Sequence, residues 1–390
     1  MIKEIQFQKY RIFSEIQNLR LAPITVVFGK NNVGKSAILK LPLLIKNAFD
    51  CKTDDVLLPL LSDGSVLFDN PRDLIYGKAN QAVRFSITSD TGANLNFSFF
   101  VENDAMQPKT HLEEWSITNN DTNQILHRSE EGIMITEEGT SVKFIGINPI
   151  NDKFTNYNSS EFFQDVFYLK AVRESPQRDY RLSFNSSNIG SSLLYDILIK
   201  DALEVQHPLL DKVSKWYEKN FDGWKVSIDK HRSPIFSIEL ENDNVRNNIL
   251  DTGMGIVQSL PIVISAYRTY ENPSLIILEE PETHLHPAAH GELSQLLAEE
   301  SNESKRFLIE THSQNFIMRL RCMIAEGVLN RDNVALYYVD YNEEKQQSKL
   351  VQINIDKNGD VENWPDKIFS DTLEEALKLR RAQNNMKYEG

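Results

Sequence analysis

The sequence is poor in cysteine: Cys51 and Cys322 are the only two in 390 residues. Two thiols cannot build a disulfide framework or a four-cysteine zinc site. No run approaches ~18 consecutive apolar residues, so a membrane-spanning helix is excluded. The first stretch, MIKEIQFQKYRIF, alternates charged and apolar residues and has no apolar core of a secretion signal. Positive charge is also scarce, with 42 Lys+Arg against 56 Asp+Glu and a net charge of −14. Such a chain is a poor non-specific binder of nucleic acid, because that affinity comes from neutralising phosphates. Internal repeats, low-complexity linkers and long heptad arrays are missing as well. What remains is a cytoplasmic protein with no membrane partner and 41% hydrophobic residues to build a core. At ~150 residues per domain, its length fits two or three domains or one large domain with insertions.

The acidity is unevenly spread. Residues 1–52 carry nine Lys and Arg against three acids, whereas residues 271–303 hold eight Glu and no Lys or Arg. A basic start remains compatible with binding phosphates. Residues 1–30 read as two strands, the second being PITVVFG, a buried β-branched run. KSAILKLPLLIKNAF reads as a helix that Pro42 kinks or cuts short. Residues 80–150 read as an antiparallel meander of short strands separated by Gly, Asn and Asp. Residues 166–174 form another strand. Residues 191–220, 249–271 and 287–300 are helical in period, and SLIILEE and KRFLIETHS are short buried strands. ALYYVDYNEEKQQSKLVQINI reads as a hairpin and the tail from Asp371 as a charged helix. Buried parallel-type strands alternating with helices predict an α/β fold with a second, antiparallel β lobe. The parts are 1–79 with the phosphate loop, 80–170 as the β lobe and 171–248 as a helical insert. Residues 249–340 hold the remaining motifs, and 341–390 hold the hairpin and tail.

Gly29, Lys30, Asn31, Asn32, Val33, Gly34, Lys35 and Ser36, followed by Ala37, make a complete G-x-x-x-x-G-K-[ST] loop between a strand and a helix. The glycines turn backbone N–H groups inward around a β-phosphate, Lys35 brings a point charge to the β/γ-phosphates, and Ser36 is placed to ligate Mg²⁺. A Gly-rich turn without function is the bland alternative, and the strand–loop–helix context disfavours it. SLIILEEP ends a strand on two carboxylates. Glu279 takes the Mg²⁺-side position and Glu280 polarises the attacking water. Alone, two acids at a strand end are usually a solvated corner; beside a phosphate loop they carry chemistry. His312, in Glu310-Thr311-His312-Ser313, can reach a γ-phosphate, although a strand-end histidine is more often a satisfied polar residue. Asp251, Thr252, Gly253 and Gly255 open a helix whose N-terminus offers free N–H groups to an anion. A plain helix cap explains the same residues equally well. His284, His286, His290 and Glu282 suit a zinc cluster poorly, because histidines at i and i+2 do not share one helix face. Tyr10 and Arg11 are candidates for adenine contact, a solvated strand edge being the commoner case. Lys378, Arg380 and Arg381 read as ordinary helix pairing.

Taken in order, these motifs resemble the P-loop NTPase head of ABC-type ATPases. The run Glu279-Glu280-Pro281-Glu282-Thr283-His284-Leu285-His286-Pro287 is similar to that of prokaryotic AAA15- and AAA21-like ATPases related to the overcoming-lysogenisation-defect (OLD) proteins. The likeness to RecF, Rad50 and SMC heads is more remote. Arg173-Glu174-Ser175-Pro176 and Gly359–Pro365 also look like parts shared by a subset of that group. The resemblance implies an ATP- and Mg²⁺-dependent ATPase whose two heads sandwich two ATP molecules as a homodimer. Asp251–Gly255 of one head would cap the γ-phosphate held by the other, His312 would be the switch histidine, and Pro281–Pro287 would cross the interface. It implies a clamp or sensor in antiviral defence, acting with a separate effector protein and with nucleic acid a possible partner. The alternatives are a RecF-like DNA-maintenance ATPase and a non-catalytic, ATP-locked binding module. The signature departs from L-S-G-G-Q and no glutamine lid is evident, Asn70 or Arg72 lying nearest to its place. No nuclease domain is expected in residues 313–390, since such a domain needs on the order of ~100 residues.

Overall fold

The computed structural model describes residues 1–57, 66–102, 108–119, 123–150, 159–162, 165–181, 190–232 and 234–365. The proposed tail helix from Asp371, with Lys378, Arg380 and Arg381, lies outside the described residues.

Strands β1 (Ile2–Gln8) and β2 (Gln17–Arg20) pair antiparallel. Strand β3 (Ile24–Gly29) is buried along nearly its whole length and leads through the phosphate loop into α1 (Lys35–Asp50). Helix α1 continues through Pro42, whose ring is buried among the core residues. Packing along the helix outweighs the single backbone bond lost there. The meander follows as β4 (Val83–Ser89), β5 (Asn94–Glu102), β6 (Lys109–Thr118), β7 (Asn123–Arg128), β8 (Met134–Thr136), β9 (Ser141–Ile145) and β10 (Asn148–Ile150). Next come β11 (Asp165–Leu169), β12 (Tyr180–Arg181), α2 (Ser191–Leu203) and α3 (Pro208–Asn220). A small sheet of β13 (Lys225–Arg232), β14 (Ile235–Asn242) and β15 (Val245–Asn248) precedes α4 (Met254–Tyr267). Then β16 (Ser274–Glu279), α5 (Pro287–Glu300), β17 (Lys305–Glu310) and α6 (Gln314–Ala325) alternate, and β18 (Val334–Asn342) and β19 (Gln347–Ile353) form the hairpin.

The central sheet has the order β11-β16-β17-β3-β18-β19, parallel except for β19. Its side chains alternate between two cores, as the pleat requires. Val27, Leu275, Ile277 and Leu308 face the core shared with α1 and the β lobe. Val26, Phe28, Ile276, Leu278, Phe307 and Ile309 face the core shared with α4, α5 and α6. This layering is the α/β fold of a P-loop NTPase head with its antiparallel lobe.

The parts drawn from the sequence divide differently in space. β1 and β2 join the meander in one nine-stranded sheet, because β1 pairs with β4 as well as with β2. β11, placed with the lobe, is instead the edge strand of the central sheet. The 171–248 insert is not only helical, since β12 to β15 form a sheet beside α2 and α3. The helical stretch 191–220 is broken between α2 and α3, and Pro208 starts the second helix at a position where its missing N–H is harmless.

Two seats hold the lobe in place. The β9–β10 turn sits on the C-terminal end of α1, where the Ile147 N–H donates to Ala48 O (3.2 Å) and Asn148 Nδ2 to Phe49 O (2.7 Å), filling carbonyls that a helix end leaves open. Arg306, 2% exposed, donates to the Ile2 and Leu21 carbonyls and to the carboxylates of Asp90 and Glu303, tying β17 to the lobe.

Candidate functional site

The phosphate loop is shaped by steric necessity at two glycines. Gly34 has φ +100°, and a Cβ there would meet Ile12 Cγ2 at 2.7 Å. Gly29 has φ +154°, and a Cβ would meet the Val339 carbonyl of β18 at 2.8 Å. The C-terminal hairpin supports the same loop, since Ser348 Oγ donates to Val33 O (2.6 Å) and the Ser348 N–H to Ile12 O (3.0 Å). Ala37 is buried in the first turn of α1, and its carbonyl accepts from the Tyr10 hydroxyl at 3.2 Å. Tyr10 is therefore fully buried under α1 and not a solvated strand edge, and burial pushes its phenol pKa up. Its neighbour Arg11 does line the cleft.

A cleft of about 580 Å³ opens above the loop and is lined by Arg11, Asn31, Asn32, Lys35, Ser36, Glu280, Glu310 and His312, among others. Lys35 is buried, donates to Lys30 O (2.7 Å) and lies 3.6 Å from Glu310 Oε1. Burial lowers its pKa, while Glu310 and Glu280 oppose the shift. Ser36 Oγ donates to Glu310 Oε2 at 3.1 Å. Glu310 itself is 5% exposed, and burial pushes its carboxyl pKa up against the pull of Lys35 and Ser36. Glu280 follows β16 with φ +42°, a left-handed turn uncommon for a residue with a Cβ. Its N–H donates to Glu310 O (2.8 Å), and its carboxylate accepts from Thr283 Oγ1 (3.1 Å). His312 Nε2 lies 3.7 Å from Glu280 Oε1. One ligand atom from each of Glu280, Glu310 and His312 falls within 4.8 Å of the others. Two carboxylates and a serine hydroxyl suit a hard, oxygen-seeking divalent cation such as Mg²⁺.

Glu279 is the sheet partner of Glu310, but its carboxylate makes different contacts. Its carboxylate accepts from the Tyr168 hydroxyl of β11 and from the Ala171 N–H (3.4 Å), and it does not line the cleft. Glu279 was expected on the Mg²⁺ side; the carboxylate that hydrogen-bonds Ser36 is that of Glu310. The strand order explains why: β17 lies between β16 and β3, so Glu310 is one strand from the loop and Glu279 two.

Two further residues organise the site and were not singled out for it. Arg173, 3% exposed, donates from Nη2 to the Glu279 and Glu280 carbonyls (2.7 and 3.2 Å). Its backbone exchanges two hydrogen bonds with the Gln258 amide of α4 (3.0 and 3.2 Å). Glu282 accepts from Thr311 Oγ1 (2.7 Å) and from the His312 N–H (2.8 Å), which fixes the strand end carrying His312. The signals were the Arg173–Pro176 run and the second acid in Glu280-Pro281-Glu282, but only the fold shows what they touch.

Asp251, Thr252, Gly253 and Gly255 do not line the cleft. Asp251 is paired with Arg178 through two hydrogen bonds (2.9 and 2.6 Å), and Thr252 Oγ1 donates to Ile249 O (2.6 Å). Gly253 caps α4 in the open, and a Cβ on Gly255 would meet His284 O at 2.7 Å. The histidines of the same region do not converge on a metal. His286 caps α5, and His290 bonds Ser313 Oγ (2.8 Å) and Leu285 O (3.2 Å). Asn70 and Arg72 belong to a 3-10 turn at Pro71–Leu74 and neither lines the cleft.

No curated protein matches the chain. Among the solved structures similar to the chain, three SMC heads share 12% identity with it. An SMC head bound to the C-winged helix domain of ScpA has a TM-score of 0.49, covering 91% of this chain and 98% of that one. The SMC head domain from Thermotoga maritima has a TM-score of 0.43, covering 91% and 99%. The Smc head domain with an extended coiled coil bound to the C-terminal domain of ScpA, derived from Pyrococcus furiosus, has a TM-score of 0.46, covering 98% and 99%. Residues 329–379 match a family model described as a protein of unknown function (DUF3696). Residues 1–317, which carry the whole cleft, match the AAA ATPase domain model AAA_15, and the chain belongs to that family.

Proposed function

We propose that the chain binds ATP in this cleft and hydrolyses it as one half of a head-to-head dimer. The observation that carries the reading is the convergence of Lys35, Ser36, Glu280, Glu310 and His312 on one cleft above a glycine-shaped loop. The loop's N–H groups and the N-terminus of α1 receive the β-phosphate. Lys35 brings its charge to the β/γ-phosphates in exchange for its present partners. Glu280, held by its N–H bond to Glu310 O and by Thr283, orients the attacking water. His312, anchored through Glu282, faces the γ-phosphate side. A bound Mg²⁺ neutralises charge that builds on the phosphates, and Ser36 with the strand-end carboxylates would hold it.

The dimer half of the proposal draws on α4. Its N-terminus, with Gly253 and Met254 exposed, offers an anion site that its own cleft does not use. A second copy supplies the phosphate that such a site would cap. The wider role, an ATP-driven clamp or sensor in antiviral defence with a separate effector, follows from the resemblance of the Glu279–Pro287 run.

The test combines nucleotide binding, turnover and light scattering. Lys35→Ala is expected to weaken ATP binding at least about tenfold. Glu280→Gln is expected to keep ATP, lose about 10²-fold or more in turnover, and persist as a nucleotide-loaded dimer. Near-normal hydrolysis by Glu280→Gln removes it as the water-orienting group. Full activity in a strictly monomeric protein removes the dimer.

A further inference from the structure

Within the ATPase reading, on which this rests, we infer that Arg173 is a positioning residue: it aims the Glu280 carboxylate and is itself held in place by α4. Three observations carry it. Glu280 sits in a left-handed turn at φ +42°, which a residue with a Cβ keeps only where its surroundings impose it. Arg173 Nη2 donates to the carbonyls of Glu279 and Glu280, and these belong to the two peptide planes that flank the Glu280 Cα. The N–H of the first plane donates to Glu310 O. Both planes are thereby anchored, and the angle between them decides where the Glu280 side chain points.

The second observation is the charge of the anchor. Arg173 is 3% exposed, and burial lowers its pKa to about 10 against the pull of Glu282, Tyr195, Glu279 and Glu280. The guanidinium is therefore charged at neutral pH, and its two bonds to carbonyls are of the stronger, charge-assisted kind. The third is what holds Arg173. Residues 170–179 form neither helix nor strand, so buried backbone groups there need partners from elsewhere. The Gln258 amide supplies both for Arg173, accepting from its N–H at 3.0 Å and donating to its carbonyl at 3.2 Å. Gln258 is itself 3% exposed, lies one turn into α4 and does not line the cleft. Contacts thus run from α4 through Gln258 and Arg173 to Glu280, and turnover depends on a helix outside the cleft.

The experiment measures steady-state turnover, single-turnover rates and affinity for a non-hydrolysable ATP analogue on the full chain. Arg173→Met, unbranched but without donors, is expected to lower kcat about tenfold or more while analogue affinity stays within about twofold. Arg173→Lys, which restores the charge but not the planar fork, is expected to regain part of the lost rate. Gln258→Met is expected to lower kcat about threefold or more at the same analogue affinity, and it carries the test should the Arg173 variants fold poorly. In a Glu280→Gln background, Arg173→Met is expected to change the single-turnover rate by no more than about twofold, because a residue acting through Glu280 has nothing left to aim. Unchanged kcat in Arg173→Met, or the same fold loss repeated in the Glu280→Gln background, overturns the assignment. A parallel loss of analogue affinity overturns it too, being the mark of a general structural role. Failure of the unaltered chain to hydrolyse ATP, or normal turnover by Glu280→Gln, strikes the ATPase reading and this assignment with it; where those two controls hold, failure of the Arg173 arms strikes the assignment alone.

Discussion

His312 lines the cleft, with its ring Nε2 3.7 Å from Glu280 Oε1. Burial and the nearby Lys35 lower its pKa, while Glu280 and Glu282 push the other way, and the lowering wins. The folded chain therefore prefers the neutral ring. As pH falls below about 6.5 the unfolded chain takes up the proton first, so this residue's contribution to stability declines through and below that pH. A proton NMR titration is expected to place the His312 midpoint below that of a free histidine. Glu280→Gln removes a carboxylate that raises the value and should move the midpoint lower still; an upward move contradicts the contact. At this scale the sequence was informative about identity and poor about aim. The phosphate loop could be read because its chemistry is local to eight consecutive residues. Glu310 was written in the same run as His312, but nothing in a linear run says that β17 inserts between β16 and β3. Arg173 and Glu282 were hidden for the same reason, each acting on backbone atoms distant in the chain.

The elements divide into those legible from periodicity and those settled by partners. β3, β16 and β17 are continuous apolar runs because both faces are buried, and such runs announce themselves. β13 and β14 alternate apolar and polar residues over KVSIDKH and IFSIEL, a strand pattern passed over between two strong helices. The joining of β1 to β4 is a tertiary choice with no local signal. Two glycines at element ends test these junctions. Gly253 caps α4 with φ −66° and open space where a Cβ would stand, so a large side chain there strains nothing within one copy. Gly253→Trp is expected to leave the melting temperature and monomeric ATP binding unchanged while blocking ATP-driven dimerisation. Mixed with Lys35→Ala, it should restore at most one working site per dimer. Gly146 is the opposite case, with φ +58° and a Cβ position 2.2 Å from Ala48 O, where the lobe seats on α1. Gly146→Ala is expected to cost on the order of 2–4 kcal/mol, read as a clear drop in melting temperature. An unchanged melting temperature would show that this seat carries no load.

Across the whole molecule, one group of acids and histidine among the described residues has the geometry to hold a metal, and it is the Glu280, Glu310 and His312 group beside the phosphate loop. The acids near the C-terminal end of the described chain serve other ends. Asp332 lies in the turn before β18, and Asp340 is exposed on β18. Asp356 closes a turn by accepting from the Asn358 and Asp360 N–H groups (2.8 and 2.9 Å), leaving Asp360 within that turn. Two-metal cleavage of nucleic acid needs carboxylates set to hold ions about 3.5–4 Å apart, and these acids are spread over separate turns and a strand. No helix among the described residues is long and apolar enough to cross a membrane. We therefore expect this chain to hydrolyse ATP slowly and to leave DNA and RNA intact with Mg²⁺ or Mn²⁺. The measurement is a cleavage assay on the chain purified through several orthogonal steps, run beside Glu310→Gln and an Asp356→Asn, Asp360→Asn double variant. Cleavage that survives purification and Glu310→Gln, but disappears in the double variant, would place a nuclease in this chain.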